Sequence, residues 1–264
     1  MSARNNKANK AAARERLRQE RELQAKKDKA RRQAIVAGSV VGVLALAGGI
    51  GYLVMEMTKP DAWEKAATAE LVKPKNSEGE NGTTVVIGKK DAKKTLELYE
   101  DSRCPACASF EQAVGGQIKQ DVDAGKYKLR YVGATFIDKA APGEGSKNAL
   151  SALGAALNVS PEAFMEYKAA LYSKANHPEE TVDKFAKDDY LIKVADGVAA
   201  LKNNAEFKTA VENGTYDRWA LEMSKTFDAA GVGSTPSLRM DGKKLEVPQT
   251  PEAFTATVDA ALKG

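Results

Sequence analysis

The chain has 264 residues with 40 Lys or Arg against 36 Asp or Glu, a net charge of +4, two cysteines and one histidine. Twelve of the basic residues but only four acids lie in residues 1–34, so that tail carries +8 and residues 35–264 carry −4. The acidic remainder excludes a nucleic-acid-binding domain held by phosphate contacts, and two cysteines with one histidine fall short of the four Cys/His ligands of a closed structural zinc site.

Taken in order, residues 1–34 read as a basic cytoplasmic tail. Ile35 to Met55 then run for 21 residues without a charge, about 31 Å as a helix at about 1.5 Å per residue, enough to span a bilayer core. The Lys/Arg excess on the N-terminal side orients that end to the cytoplasm and exports residues 56 onward. The small-residue pattern Ala67-Thr68-Ala69 lies past Glu56, Lys59, Asp61, Glu64 and Lys65, too far from the apolar run for a signal-peptidase site, so the span reads as an uncleaved anchor. Residues 56–82, with Pro60, Pro74 and a polar run from Asn76 to Gly82, read as an extracytoplasmic linker in which Trp63 suits the membrane interface.

From residue 83 the pattern is globular. Thr83–Gly88 and Thr95–Tyr99 have strand composition, and the second runs into Cys104-Pro105-Ala106-Cys107. A helix comes next, with Phe110, Val114 and Ile118 on one face and a kink or split expected at Gly115-Gly116. Lys126–Ile137 alternates as a third strand. Four helical stripes succeed it: Ala149, Leu150, Leu153 and Leu157; Phe164, Tyr167 and Leu171; Leu191, Val194, Val198 and Leu201; and Trp219, Met223 and Phe227. Ser160-Pro161-Glu162 has the form of a helix start, and His177, before Pro178, reads as a surface loop residue. After Gly231-Val232-Gly233-Ser234-Thr235-Pro236, strands Ser237–Met240 and Lys243–Val247 form a hairpin across Asp241-Gly242, and a last helix carries Phe254, Val258 and Leu262. The fold class is therefore α/β, a sheet split by an all-helical insertion at about 144–230.

Cys104 and Cys107 are the candidate chemistry. Two intervening residues on a first helical turn let the sulfurs join with little backbone movement. Cys104 faces the unsatisfied N–H groups and positive end of the helix, which favour its thiolate and mark it as nucleophile. Cys107, one turn further in, would resolve a mixed disulfide. Pro105 suits a position that needs no N–H. A structural disulfide remains an alternative, although so short a loop constrains the unfolded chain little. Export and a lone cysteine pair agree, because disulfides persist outside the cytosol.

The run Tyr99-Glu100-Asp101-Ser102-Arg103-Cys104-Pro105-Ala106-Cys107 after a strand, the helical insert and Gly231–Pro236 before a hairpin resemble the DsbA-like thioredoxin-fold thiol-disulfide oxidoreductases of the membrane-anchored actinobacterial kind. The resemblance covers residues 83–264. It implies a redox-active Cys104–Cys107 disulfide with no metal or organic cofactor, an active-site loop of Pro105 and Ala106, and a cis Thr235–Pro236 bond beside the cysteines that presents substrate main chain. It implies exported cysteine-containing proteins as substrates, and reoxidation by a quinone-linked membrane partner similar to vitamin K epoxide reductase. Relatives often carry His where this chain has Ala106, and a buried proton-transferring acid where it has Leu98. Glu97 is one residue off that position and should face the other way, leaving the task to water or another carboxylate. Disulfide formation is the expected activity; a reductase or isomerase would use the same site, and a tethered binding or chaperone module with a structural disulfide is the reading from another class.

Overall fold

The computed structural model describes residues 62–263, with Lys27 alone before them. The expected membrane span 35–55 lies outside the described residues, as does the rest of the basic tail; among the described residues no helix is long and apolar enough to cross a membrane.

Five strands, β1 (Val85–Ile87), β2 (Thr95–Asp101), β3 (Lys128–Ala134), β4 (Ser237–Met240) and β5 (Lys243–Leu245), form one sheet in the order β1-β3-β2-β4-β5. β2 and β3 are parallel, with Leu98 opposite Tyr131, and the other pairs are antiparallel. β2 is central and buried on both faces after Thr95, which is why its sequence mixes apolar residues on both parities. The closing hairpin turns through Asp241 (φ 48°) and Gly242 (φ 82°), the two positive φ values that a two-residue turn matched to strand twist requires. Asp241 Oδ1 accepts from Thr95 N at 2.9 Å and so fastens the turn to the start of β2.

Helix α1 (Ala62–Thr68) precedes the sheet, and α2 (Pro105–Ala124) connects β2 to β3. α2 is one continuous helix ended by Gly125 at φ 81°, so the break expected at Gly115-Gly116 does not occur. Gly115 serves the interior instead: a Cβ there would collide with the Glu111 carboxylate, which folds back over that position. Phe110, Val114, Ile118 and Val122 line the buried face. Phe110 meets Phe254 of the last helix, α9 (Pro251–Lys263), edge to face with ring centroids 6.4 Å apart.

Between β3 and β4 lie α3 (Ile137–Ala140), α4 (Gly145–Val159), α5 (Pro161–Tyr172), α6 (Asp188–Ala195), α7 (Ala205–Glu212) and α8 (Asp217–Ala229). Ser160 caps α5 by accepting from Ala163 N at 3.0 Å, as its sequence suggests. The third expected stripe is only half helical: α6 ends at Ala195, and Val198 and Leu201 are buried from turns. α7 carries no stripe long enough to read alone. α4 is the insert's central helix, buried around most of its circumference. At Gly154 it lets the Trp219 ring approach, since a Cβ would stand 2.8 Å from Trp219 Cε3 and 3.0 Å from Tyr216 Cβ. Gly154→Ala is therefore expected to lose about 1–2 kcal/mol net, overpacking outweighing alanine's better helix propensity. A lower urea midpoint checks this; an unchanged or raised one contradicts the close approach.

The linker expected over 56–82 is corrected for residues 62–82. Trp63 and Ala66 join the main core, with Lys147 Nζ over the Trp63 ring at 5.1 Å, so Trp63 is a packing residue of the domain and not an interface anchor. Asn76 Nδ2 donates to Leu157 O at 2.8 Å, Glu78 bridges Thr84, and Gly82 O accepts from Trp219 Nε1 at 2.7 Å. A polar stretch without apolar period is held here by its backbone groups and the Asn76 amide, a signal that periodicity does not register.

Candidate active site

Cys104 is the N-cap residue of α2, in extended conformation, with no side-chain cap bond. Its N–H donates to Asp101 O at 3.0 Å and its carbonyl accepts from Ala108 N at 3.1 Å, so the strand ends in a tight turn that opens directly into the helix. Pro105 and Ala106 are exposed on the first turn; Cys104 is 7% exposed and Cys107 not at all. Both cysteines are free thiols. Opposite them the Thr235–Pro236 peptide bond is cis, and Cys104 Sγ lies 3.6 Å from Thr235 O. The structure thus brings Cys104, Pro105, Ala106, Cys107, Thr235 and Pro236 to one place at the end of β2 and the entry to β4.

The two thiols are chemically unequal. The neighbouring Cys107 thiol first, then Thr235 and the N–H dipoles of Cys107 and Ala106, draw Cys104 down to about 6 against the burial that opposes ionisation. The Thr235 hydroxyl is buried without a hydrogen-bond partner inside the protein; its backbone oxygen is the atom that meets Cys104 Sγ. Burial foremost, then the bond to Cys104 and the charge of Glu100, push Cys107 far up. Because the thiolate is the reactive form, alkylation of Cys104 should rise with pH through about 6 and level off above it, where an ordinary thiol would still be climbing toward about 8.5. A pH profile of iodoacetamide modification, with the adduct mapped by mass spectrometry, checks this; a midpoint near 8.5 contradicts it.

Beneath the cysteines lies a buried charge cluster that no motif in the sequence announces. Lys168, on α5, is 1% exposed and places Nζ 3.1 Å from Glu100 Oε2 and 2.5 Å from Glu111 Oε2. Burial pushes Glu100 above the usual carboxylate range, Lys168 partly offsets it, and Glu111 adds to it. Against its own burial, the two carboxylates hold the Lys168 ammonium firmly charged. Two acids and one base leave room for one exchangeable proton. Glu100 is near enough to act electrostatically on both thiols, and its Oε1, with the hydroxyls of Tyr131 and Tyr172, is buried without a hydrogen bond inside the protein. One signal could have found Glu100: it shares the parity of Leu96 and Leu98, so an acid stands on the apolar face of a central strand.

Glu97 does face the other way. Its carboxylate accepts from Tyr99 Oη at 2.5 Å and Gly242 N at 3.0 Å, and stands 3.6 Å from Arg130. His177 differs from expectation: it is half-buried, stacks on Tyr172 with centroids 5.9 Å apart, and brings Nε2 to 3.1 Å from Ser102 O, two residues before Cys104.

A family model described as Thioredoxin matches residues 80–260. The chain belongs to the thioredoxin family. Among its thioredoxin-family relatives is disulfide bond formation protein D of Bacillus subtilis, 24% identical over 183 residues, covering 68% of this chain and 77% of that protein. Two solved structures from Mycobacterium tuberculosis are also similar. Reduced DsbA has a TM-score of 0.58 at 25% identity, over 69% of this chain and 93% of its own; reduced DsbG, a disulfide bond oxidoreductase, has 0.59 at 26%, over 69% and 89%. Within the thioredoxin family the chain is a DsbA-like thiol-disulfide oxidoreductase, with a helical insertion between the third and fourth strands.

Proposed function

We propose that the protein forms disulfides in exported, cysteine-containing proteins, tethered to the outer face of the cell membrane by residues 35–55 with its N-terminus in the cytoplasm, as in the membrane-anchored actinobacterial kind it resembles. The inequality of the two thiols carries this reading: an outer Cys104 held as thiolate beside the cis Thr235–Pro236 bond, and a buried Cys107 held protonated. Stabilising the thiolate stabilises the reduced enzyme and makes the oxidised one a stronger oxidant. Here the Cys107 thiol, Thr235 and the positive end of α2 supply what relatives obtain from a histidine at the Ala106 position.

The cycle starts from the Cys104–Cys107 disulfide. A client thiolate attacks Cys104 Sγ, the S–S bond breaks, and Cys107 leaves and takes up a proton, for which Glu100, the buried carboxyl whose charge acts on Cys107, is the donor. A second client thiolate attacks the client sulfur of the mixed disulfide, and Cys104 leaves as thiolate. The client loses two electrons and the enzyme gains them. Pro105, Ala106, Thr235 and Pro236 form the surface on which client main chain rests. The redox-active disulfide is the only cofactor required, and a membrane partner similar to vitamin K epoxide reductase returns the electrons to quinone.

The test is to mix oxidised full-length protein with reduced, unfolded ribonuclease and track client thiols and recovered activity. One client disulfide should form per enzyme disulfide consumed; a protein that leaves the thiols unchanged refutes the reading. Retention in the membrane pellet after carbonate washing, with the C-terminal domain open to protease from outside intact cells, checks the tether.

A further inference from the structure

Three consecutive residues, Asp101 to Arg103, lead into Cys104, and each is docked onto the helical insert. Asp101 accepts from Ile137 N at 3.1 Å and from Ser146 Oγ at 2.6 Å, besides Arg103 N at 3.0 Å. Ser102 O meets His177 Nε2 at 3.1 Å. The Arg103 guanidinium, 2% exposed, makes three hydrogen bonds and a further ion pair: Nη1 donates to Asp138 Oδ1 and to Ala141 O, each at 2.9 Å, Nη2 to Glu180 O at 2.9 Å, and Nε stands 3.3 Å from Asp183 Oδ1.

The two carboxylates have a second task. Asp138 accepts from Ser146 N and Lys147 N at 2.8 and 3.0 Å, and Asp183 from Glu144 N and Gly145 N at 2.8 and 3.2 Å. They satisfy the free N–H groups at the start of α4, and the Arg103 guanidinium, paired with both, offsets one of their two negative charges. Gly143 and Gly145 leave the space they need, since a Cβ at either would collide with Asp183.

We propose that Arg103 is a positioning residue for the thiol chemistry, the clamp through which the helical insert fixes the turn that holds Cys104 at the N-terminus of α2 and against Thr235 O. The proposal rests on the oxidoreductase reading of the dithiol. Only a planar guanidinium reaches acceptors in these diverging directions; lysine keeps the charge but is a single point donor. With the clamp released, the strand end carrying Cys104 is held by the Asp101 and Ser102 contacts alone. Cys104 then loses its fixed place at the start of α2, and the thiolate is lost before the fold is.

Full-length Arg103→Lys, Arg103→Met and Asp183→Asn proteins test this, each first shown folded by circular dichroism. The pH midpoint of Cys104 alkylation is read together with kcat and KM for a reduced peptide. Arg103→Met should require at least tenfold lower proton concentration to reach the midpoint and lose about tenfold in kcat with KM little changed. Arg103→Lys should fall between it and the parent, and Asp183→Asn, which removes one arm, should shift the midpoint two- to threefold. A folded Arg103→Met protein with the parent's midpoint and kcat overturns the proposal. Should that variant not fold, an unchanged midpoint in folded Asp183→Asn overturns it equally. Failure of the oxidoreductase reading looks different: the unaltered protein would show no turnover, whatever its midpoint.

Discussion

Cys107→Ser should turn the protein into a trap for its clients, and Cys104→Ser should reduce turnover to background. With Cys107 gone, the Cys104 thiolate still attacks a disulfide and enters a mixed disulfide, because its residual exposure and its place at the start of α2 are untouched. No internal thiol remains to displace it. Removing Cys104 leaves only a fully buried thiol that burial and Glu100 hold protonated, and a protonated thiol is no nucleophile. On non-reducing gels Cys107→Ser should show high-mass adducts that collapse with reductant, and Cys104→Ser should show none. Equal adducts from both variants, or from neither, would contradict the assigned roles.

The second large effect is expected beneath the cysteines. Lys168→Met removes the cation shared by two buried carboxylates and should destabilise the fold by about 3–5 kcal/mol near neutral pH, the usual cost of stripping one partner from a buried pair. Its pH dependence identifies the cause. Glu100 already sits above its ordinary value through burial, and without the cation it rises further. A carboxyl raised in the folded state favours folding below its unfolded value and loses that contribution as pH rises through the folded one. The melting temperature of Lys168→Met should therefore recover on acidification, and a loss independent of pH would point to packing alone. Glu100→Gln keeps the shape but cannot exchange a proton, and it should slow the step in which Cys107 is protonated or deprotonated by about a hundredfold. Stopped-flow resolution of a preformed mixed disulfide reads that step directly.

What the sequence made legible is what is local. The strand running into Cys-Pro-Ala-Cys, the Asp241-Gly242 hairpin, the Ser160 cap and the opposite facing of Glu97 each depend on a handful of neighbouring residues, and the structure places them as read. The cis bond at Thr235–Pro236 came from the resemblance. What escaped is tertiary. Glu100 and Lys168 stand 68 residues apart in the chain, and nothing near either says that the other is its partner. Arg103 looks like a surface charge until its partners at 138, 141, 180 and 183 are brought around it. Trp63 has the composition of an interface anchor, and only the packing against Ala66 and Lys147 shows it to be a core residue. The third stripe extends through Val198 and Leu201 because buried turns can keep a helical spacing without a helix.

The measurement that bears most directly on the account is the reduction potential of the Cys104/Cys107 pair in the full-length protein, equilibrated against glutathione buffers and read by thiol labelling. With Cys104 drawn down to about 6 by Cys107, Thr235 and the start of α2, the account predicts an oxidising couple, nearer the roughly −120 mV of strong disulfide donors than the roughly −270 mV of thioredoxin. A value at or below about −270 mV would contradict it: near that figure the electrons run the other way, and below about −300 mV the pair behaves as a structural disulfide.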